Sequence, residues 1–180
     1  HLAEAAGRPV TAYVDRAEVD QSGPGWAARP IADLPSTVRQ FDLIVYQMGN
    51  SPAHDFMAEA VWHYPGLLVL HDISLHYFFA RQSRSRYLQA MGYAYGLAGT
   101  TLGRQFLRGS AAVDYPAYLV SEMLVDRSPG VIVHSRHALD LLSARCPAAR
   151  LAYAPMPIPL PPERAYAATR APLGVRTDEF

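Results

Sequence analysis

The sequence contains no lysine: all sixteen of its basic residues are arginine, and sixteen acidic residues balance them to a formal net charge of zero. Without lysine there is no phosphate loop of the G-x-x-x-x-G-K type, which excludes phosphoryl transfer by that route. The even charge balance leaves no electrostatic footprint for a phosphate backbone, so nucleic acid is not an expected partner. One cysteine, Cys146, excludes an internal disulfide and any cysteine-based zinc site, and it suits a reducing compartment. There is no G-x-S-x-G elbow and no cysteine in a Gly-rich, His-paired setting, so a nucleophilic hydrolase is not expected either. Apolar runs such as residues 67–70 fall far short of the roughly 20 residues that a membrane span needs. With no basic stretch and apolar h-region at the N-terminus, the expected location is cytoplasmic.

What is present fits one ordinary α/β domain. The chain has 180 residues, half of them hydrophobic and 18% charged, a composition that supports a real core. Residues 1–6 read as the tail of a helix closed by Gly7, and residues 9–15 as a strand. Residues 21–36 carry so many glycines and prolines that they read as a surface loop with at most a short strand near Ile31. Gly23, Gly25 and Ala28 match the spacing of a dinucleotide fingerprint, but Pro24 interrupts them and Pro30 follows where a helix should begin. Residues 41–47 read as a strand buried on both faces, then a helix starts at Ser51-Pro52 and stops at Pro65-Gly66. A second apolar strand spans 66–70. One or two helices lie within 87–107 and another within 115–125. Residues 131–133 form a third strand, followed by a helix over 136–144 capped by Ser135 with Leu139 and Leu142 facing the core. A last strand covers 151–154. Alternating strands and helices of this kind predict a doubly wound parallel sheet.

In an open parallel sheet ligands bind outside the carboxyl ends of the strands, where loops diverge and helix N-termini point into the gap. Three of the predicted strand ends are polar: Gln47-Met48-Gly49-Asn50 with His54, His71-Asp72 with His76, and His134-Ser135 with His137. Five of the seven histidines of the chain therefore gather near such ends. Gly49 would let the backbone approach a ligand closely, and Asn50 offers both a donor and an acceptor; a plain turn explains the pair as well. His71 could orient a hydroxyl or steady a leaving group, with Asp72 fixing the imidazole; the plainer alternative is a histidine bonded to backbone in a tight connection. Ser135 and its helix N-terminus could hold an anion, although capping alone accounts for it. The spacing of His71, Asp72 and His76 matches no established zinc or iron motif, so no metal is expected.

The run Val-Tyr-Gln-Met-Gly-Asn, then His54, Phe56 and Met57, then Leu-Val-Leu-His-Asp-Ile-Ser-Leu-His, resembles the N-terminal lobe of bacterial retaining glycosyltransferases of the group 1 type, family 4, with the GT-B fold. The strand end at residues 131–135, the Pro-Met-Pro-Ile-Pro segment and Leu173-Gly174-Val175 resemble the same proteins in the same order. The resemblance implies a Rossmann-like acceptor-binding domain over residues 1–154, a Pro-rich linker over 155–163 and the start of a donor-binding domain over 164–180. It implies sugar transfer from a nucleotide-sugar to a glycan or lipid-linked acceptor, with retention and without metal or other cofactor, in polysaccharide biosynthesis at the cytoplasmic side. Peripheral contact with the membrane is compatible with a lipid-linked acceptor. Carried over by position, Gly49, Asn50, His54 and His76 would face the acceptor, His71 and Asp72 the reacting sugar, and His134 and Ser135 the rim of the cleft. The family's first strand and Gly-rich loop would precede His1, and its donor lobe with an E-x7-E pair would follow Phe180. The expectation is thus an excised lobe, inactive alone, and weakened or self-associating through an unpaired sheet edge. Two other functions fit the same pattern: a sugar-nucleotide epimerase of related fold, and a non-catalytic domain that binds a small polar ligand.

Overall fold

The computed structural model describes residues 7–15, 22–111 and 117–156. The expected helix tail at 1–6, most of the Pro-rich linker and the segment 164–180 lie outside the described residues.

The main body is a four-stranded, all-parallel sheet of β4 (Val45–Met48), β5 (Leu67–Leu70), β6 (Val131–Val133) and β7 (Leu151–Tyr153), ordered β4-β5-β6-β7. Register is regular, with Met48 opposite Leu70, Leu70 opposite Val133, and Val133 opposite Tyr153. Their carboxyl ends therefore finish level, which places the residues that follow them side by side. The strands are apolar because helices cover them: Met48, Leu68, Leu70, Val131 and Val133 are all buried. The fold is thus α/β with a parallel sheet, compatible with a Rossmann-like lobe. Strand order follows the sequence, so the reversal that defines a doubly wound sheet does not occur within these four strands.

β1 (Val10–Val14) forms as its sequence suggests, but its neighbours overturn the loop expected at 21–36. β2 (Ser22–Gly23) and β3 (Trp26–Pro30) form a hairpin, and β1 pairs in parallel with β3, Val10 facing Trp26. The breakers that argue for a loop make the hairpin turn, where Gly25 takes a φ of +77° that a side chain would resist. The fingerprint spacing of Gly23, Gly25 and Ala28 is spent on that hairpin. Short helical turns follow from Ile31 onward, including α1 (Leu34–Thr37).

β4 departs from expectation in a second respect. It is shorter than residues 41–47, and it is not buried on both faces: Tyr46 and Met48 are buried while Val45 and Gln47 are exposed. Tyr46 anchors it, its hydroxyl lying 3.0 Å from Ala60 O and 2.7 Å from Tyr64 O at the end of α2 (Ala58–His63). Residues from Ser51 onward start as a 3-10 turn over Pro52–Met57 before α2 begins, and Ser51 makes no side-chain capping bond.

The helix α3 (His76–Gln82) is absent from the sequence reading, hidden in the aromatic run His-Tyr-Phe-Phe. α4 (Arg84–Leu107) is capped by Ser83, whose side chain accepts from Arg86 N. It breaks at Gly96, φ +63°, so the expected one or two helices are two arms that fold on each other. A side chain on Gly99 would collide with Met91 O, which explains the small residue at that crossing. Of the helix expected at 115–125, the described part begins later, as α5 (Glu122–Arg127). α6 (Arg136–Arg145) follows the pattern closely: Ser135 Oγ accepts from Ala138 N at 3.0 Å, Leu142 is fully buried and Leu139 packs against the core. Losing the Ser135 cap would cost about 1 kcal/mol.

Candidate functional site

The level carboxyl ends of β4, β5 and β6 bring three histidines into one row. The His71 and His134 rings stack with centroids 5.1 Å apart and 29° between planes. His54, from the 3-10 turn after β4, lies on the other side of His71 at 6.3 Å. His71 stands at the centre because its backbone N–H continues the ladder to Met48 O, 2.8 Å away.

Hydrogen bonds set the state of each ring. His71 Nε2 is 2.8 Å from Gln47 Oε1, and since the amide oxygen accepts, Nε2 carries the proton and Nδ1 keeps a lone pair. His134 Nδ1 donates to Ala154 O at 2.9 Å, which leaves its Nε2 as the unprotonated nitrogen. That Nε2 is buried and has no partner among the described residues. His54 Nδ1 lies 3.1 Å from Ser51 Oγ. Partial burial of the His71 ring, then the His134 and His54 imidazoles beside it, push its pKa below the usual histidine value, against a weaker upward pull from Asp72. His71 is therefore a neutral imidazole at pH 7, with one fixed N–H and one lone pair, at an exposed position.

Asp72 and Asn50 build the floor. Asp72 Oδ2 accepts from Asn50 N at 2.8 Å. Asn50 is otherwise spent inside the protein: its Oδ1 accepts from Phe78 N in the first turn of α3, and its carbonyl accepts from Arg81. Arg81 also grips both carboxylate oxygens of Asp55, at 2.7 and 3.0 Å. Gly49 is buried, and a Cβ there would sit 2.6 Å from His54 Cε1 and 3.1 Å from Asp72 Oδ2. The glycine is thus required by contacts within the protein.

Seven of the eight residues singled out from sequence lie at or beside this row: Gly49, Asn50, His54, His71, Asp72, His134 and Ser135. His76 does not. Its ring is buried in the core, with Nδ1 2.7 Å from Tyr87 Oη and Nε2 2.6 Å from Tyr118 O. Both nitrogens are committed there and the side chain does not reach the crevice, so its place is structural. Asn50, expected to meet a ligand with its side chain, instead uses that oxygen to start α3. Ser135 caps α6, as its simpler reading holds. Gln47 is the residue that the sequence undervalues; a polar side chain on an apolar strand, two positions before Gly49, is the signal that points to it.

The row offers a neutral His71 with a fixed N–H and a lone pair, the imidazoles of His54 and His134 beside it, and one exposed carboxylate, Asp72. That set suits a hydroxyl-rich, uncharged ligand better than an anion. Among the described residues no group of three or more His, Cys, Asp or Glu side chains is placed to hold a metal ion, and no helix is long and apolar enough to cross a membrane. Comparison of the chain with protein-family models, with curated proteins and with solved structures finds no match.

Proposed function

We propose that the chain is the acceptor-binding lobe of a retaining glycosyltransferase, an enzyme that passes a sugar from a nucleotide-sugar to a glycan or lipid-linked acceptor. The observation that carries this reading is the His54–His71–His134 row at the sheet's carboxyl ends, with His71 neutral, exposed and oriented by Gln47. In this role His71 meets a sugar hydroxyl at the reacting centre, its free lone pair accepting and its N–H held in register by Gln47. His134 and His54 flank it as walls of the subsite, and Asp72 offers its remaining oxygen to a second hydroxyl. The nucleotide-sugar is held by a partner lobe facing this crevice. The order of motifs along the chain supports the same reading, since strand ends, Pro-rich segment and following module come in the family's order.

The test is transfer by the intact enzyme that contains this lobe, screened against UDP-, GDP- and dTDP-hexoses with glycan and lipid-linked acceptors. His71→Ala is expected to lower turnover by about 10²-fold or more. Unchanged turnover demotes His71 to a structural residue, and absence of transfer from every donor removes the glycosyltransferase reading.

A further inference from the structure

Val120 is the only residue other than glycine with a positive φ among the described residues, +62°, a conformation that a β-branched side chain resists. It is buried, as is Leu119 before it, so the packing around them imposes the strain. The connection that leads into α5 is gripped from four sides up to this point. Arg145 donates to Ala117 O at 2.8 Å, His76 Nε2 donates to Tyr118 O at 2.6 Å, Leu119 N donates to Tyr95 Oη at 2.8 Å, and Leu119 O accepts from Leu75 N at 2.9 Å. Past Val120 the polar groups are idle instead. Four buried side-chain atoms have no hydrogen-bond partner among the described residues, and three of them flank this contact: Ser121 Oγ, Glu122 Oε2 and, next to Leu75, Ser74 Oγ. Native chains rarely leave such groups unbonded or hold valine at positive φ, and both together mark a segment with more than one arrangement.

We propose that the Leu119–Val120 peptide is a latch on the loop that carries His71 and Asp72. Turning this peptide plane about its two flanking bonds changes ψ of Leu119 and φ of Val120 together. The turn brings Val120 to about −120°, in the extended region that valine favours. It also points Leu119 O away from Leu75 N. In the latched state the loop from Asp72 to Leu75 is pinned at both ends, by Asp72 Oδ2 on Asn50 N and by Leu119 O on Leu75 N, while Val120 is strained. In the released state Val120 relaxes, and the idle hydroxyls of Ser74 and Ser121 offer partners to the groups set free. A ligand that bears on His71 and Asp72 therefore acts on the same loop as the strain at Val120, and shifts the balance between the two states by its preference for one of them. The latch serves any ligand of the crevice and does not rest on the glycosyltransferase reading.

The experiment compares Val120→Gly with Val120→Ala. Both lose most of the buried side chain, but only glycine takes a φ of +62° freely, so only glycine relieves the latched state. Hydrogen exchange of the Leu75 amide, measured by NMR against that of Leu68, which is bonded to Gly130 O within the sheet, is expected to be at least about fivefold slower in Val120→Gly than in Val120→Ala. Tyr95→Phe removes the acceptor of Leu119 N and is expected to speed Leu75 exchange by a similar factor on the same scale. In the parent chain, relaxation dispersion of the Asp72 and Leu75 amides and of the His71 ring is expected to share one rate, and to vanish from all three in Val120→Gly. Equal Leu75 exchange in the glycine and alanine variants overturns the proposal, because the strain then does not act on the latch. Dispersion confined to Leu75, or absent from the parent chain, also overturns it, because the site loop then does not move with the peptide. Should either variant at position 120 fail to fold, Tyr95→Phe and the dispersion of the parent chain decide, and unchanged Leu75 exchange in Tyr95→Phe overturns the latch.

Discussion

His71 stacks on His134 with 5.1 Å between ring centroids, and each ring takes its proton position from a different strand: Gln47 on β4 for His71, Ala154 beyond β7 for His134. Two imidazoles in contact resist double protonation, because the second charge must form beside the first. Burial of the ring first, and then the neighbouring imidazoles of the row, thus make His71 a weaker base than a free histidine.

That coupling is measurable. In His134→Phe the stacking surface remains but the second titratable ring is gone, so the pKa of His71 is expected to rise toward the ordinary histidine value near 6.5. His54→Phe should raise it by less, since the His54 ring is farther away. Histidine-resolved NMR titration of the three proteins reads both shifts. A His71 midpoint that does not move in either variant would assign its depression to burial alone.

How far the sequence reveals this arrangement depends on distance along the chain. β5, β6 and α6 are legible because their signals are local: continuous apolar runs, a Ser cap and a 3.6-residue stripe all act within a few positions. β3 is not legible, since Trp26–Pro30 has little apolar periodicity and is a strand only because β1 lies beside it. α3 is missed for a related reason: its N-terminal turn is satisfied by Asn50, twenty-eight positions earlier. The clustering of histidines at strand ends follows from fold class and proves to be spatial for His54, His71 and His134. What sequence cannot separate is His76, whose fate is decided by Tyr87 and Tyr118, the latter brought in by a distant turn.

The burial of His76 predicts acid lability. Burial lowers its pKa in the folded protein, against a smaller upward contribution from the bond to the Tyr118 carbonyl. The unfolded chain then binds the proton more readily than the folded one, so stability is complete above pH 6.5 or so and falls as pH drops through the lower, folded value. His71 adds to the loss with the same sign. Thermal melting followed from pH 7.5 down to 5 should show a steady fall in Tm that sets in as pH passes the ordinary histidine value near 6.5. His76→Leu should flatten that slope and cost about 1–3 kcal/mol at pH 7, because it strips a buried bond from Tyr87 and from Tyr118. A melting temperature independent of pH over this range would show that His76 is protonated in the fold at little cost.

Cys146 is expected to be inert. Burial, and then the nearby carboxylates of Asp126 and Glu122, push its thiol up to about 12 against the opposing pull of Arg145, and the residue is 2% exposed. Reaction requires the thiolate and access to it, and the folded protein supplies neither. Ellman's reagent at pH 8 should therefore react about 10²-fold or more slowly with the native chain than with the chain in urea. Rapid native labelling would mean that the Ser128–Pro129 side of this region opens readily.

The sharpest test of the site's construction is Gly49→Ala. A methyl group there would lie 2.6 Å from His54 Cε1, closer than real carbon contacts allow, and 3.1 Å from Asp72 Oδ2. Relief requires the His54 ring to swing away from His71, or the Asp72 carboxylate to leave Asn50 N, which it meets at 2.8 Å. The first movement breaks the contact of His54 with His71 and the second frees the Asn50 backbone N–H, so the variant should lose about 1–3 kcal/mol in urea denaturation. The double variant Gly49→Ala, His54→Ala removes the first clash, and the two changes should be strongly non-additive, with much of the stability recovered. Additive losses would instead place the strain at Asp72. A single variant as stable as the parent, with unchanged histidine resonances, would mean that Gly49 serves only as a turn residue and that the row tolerates more freedom than its geometry implies.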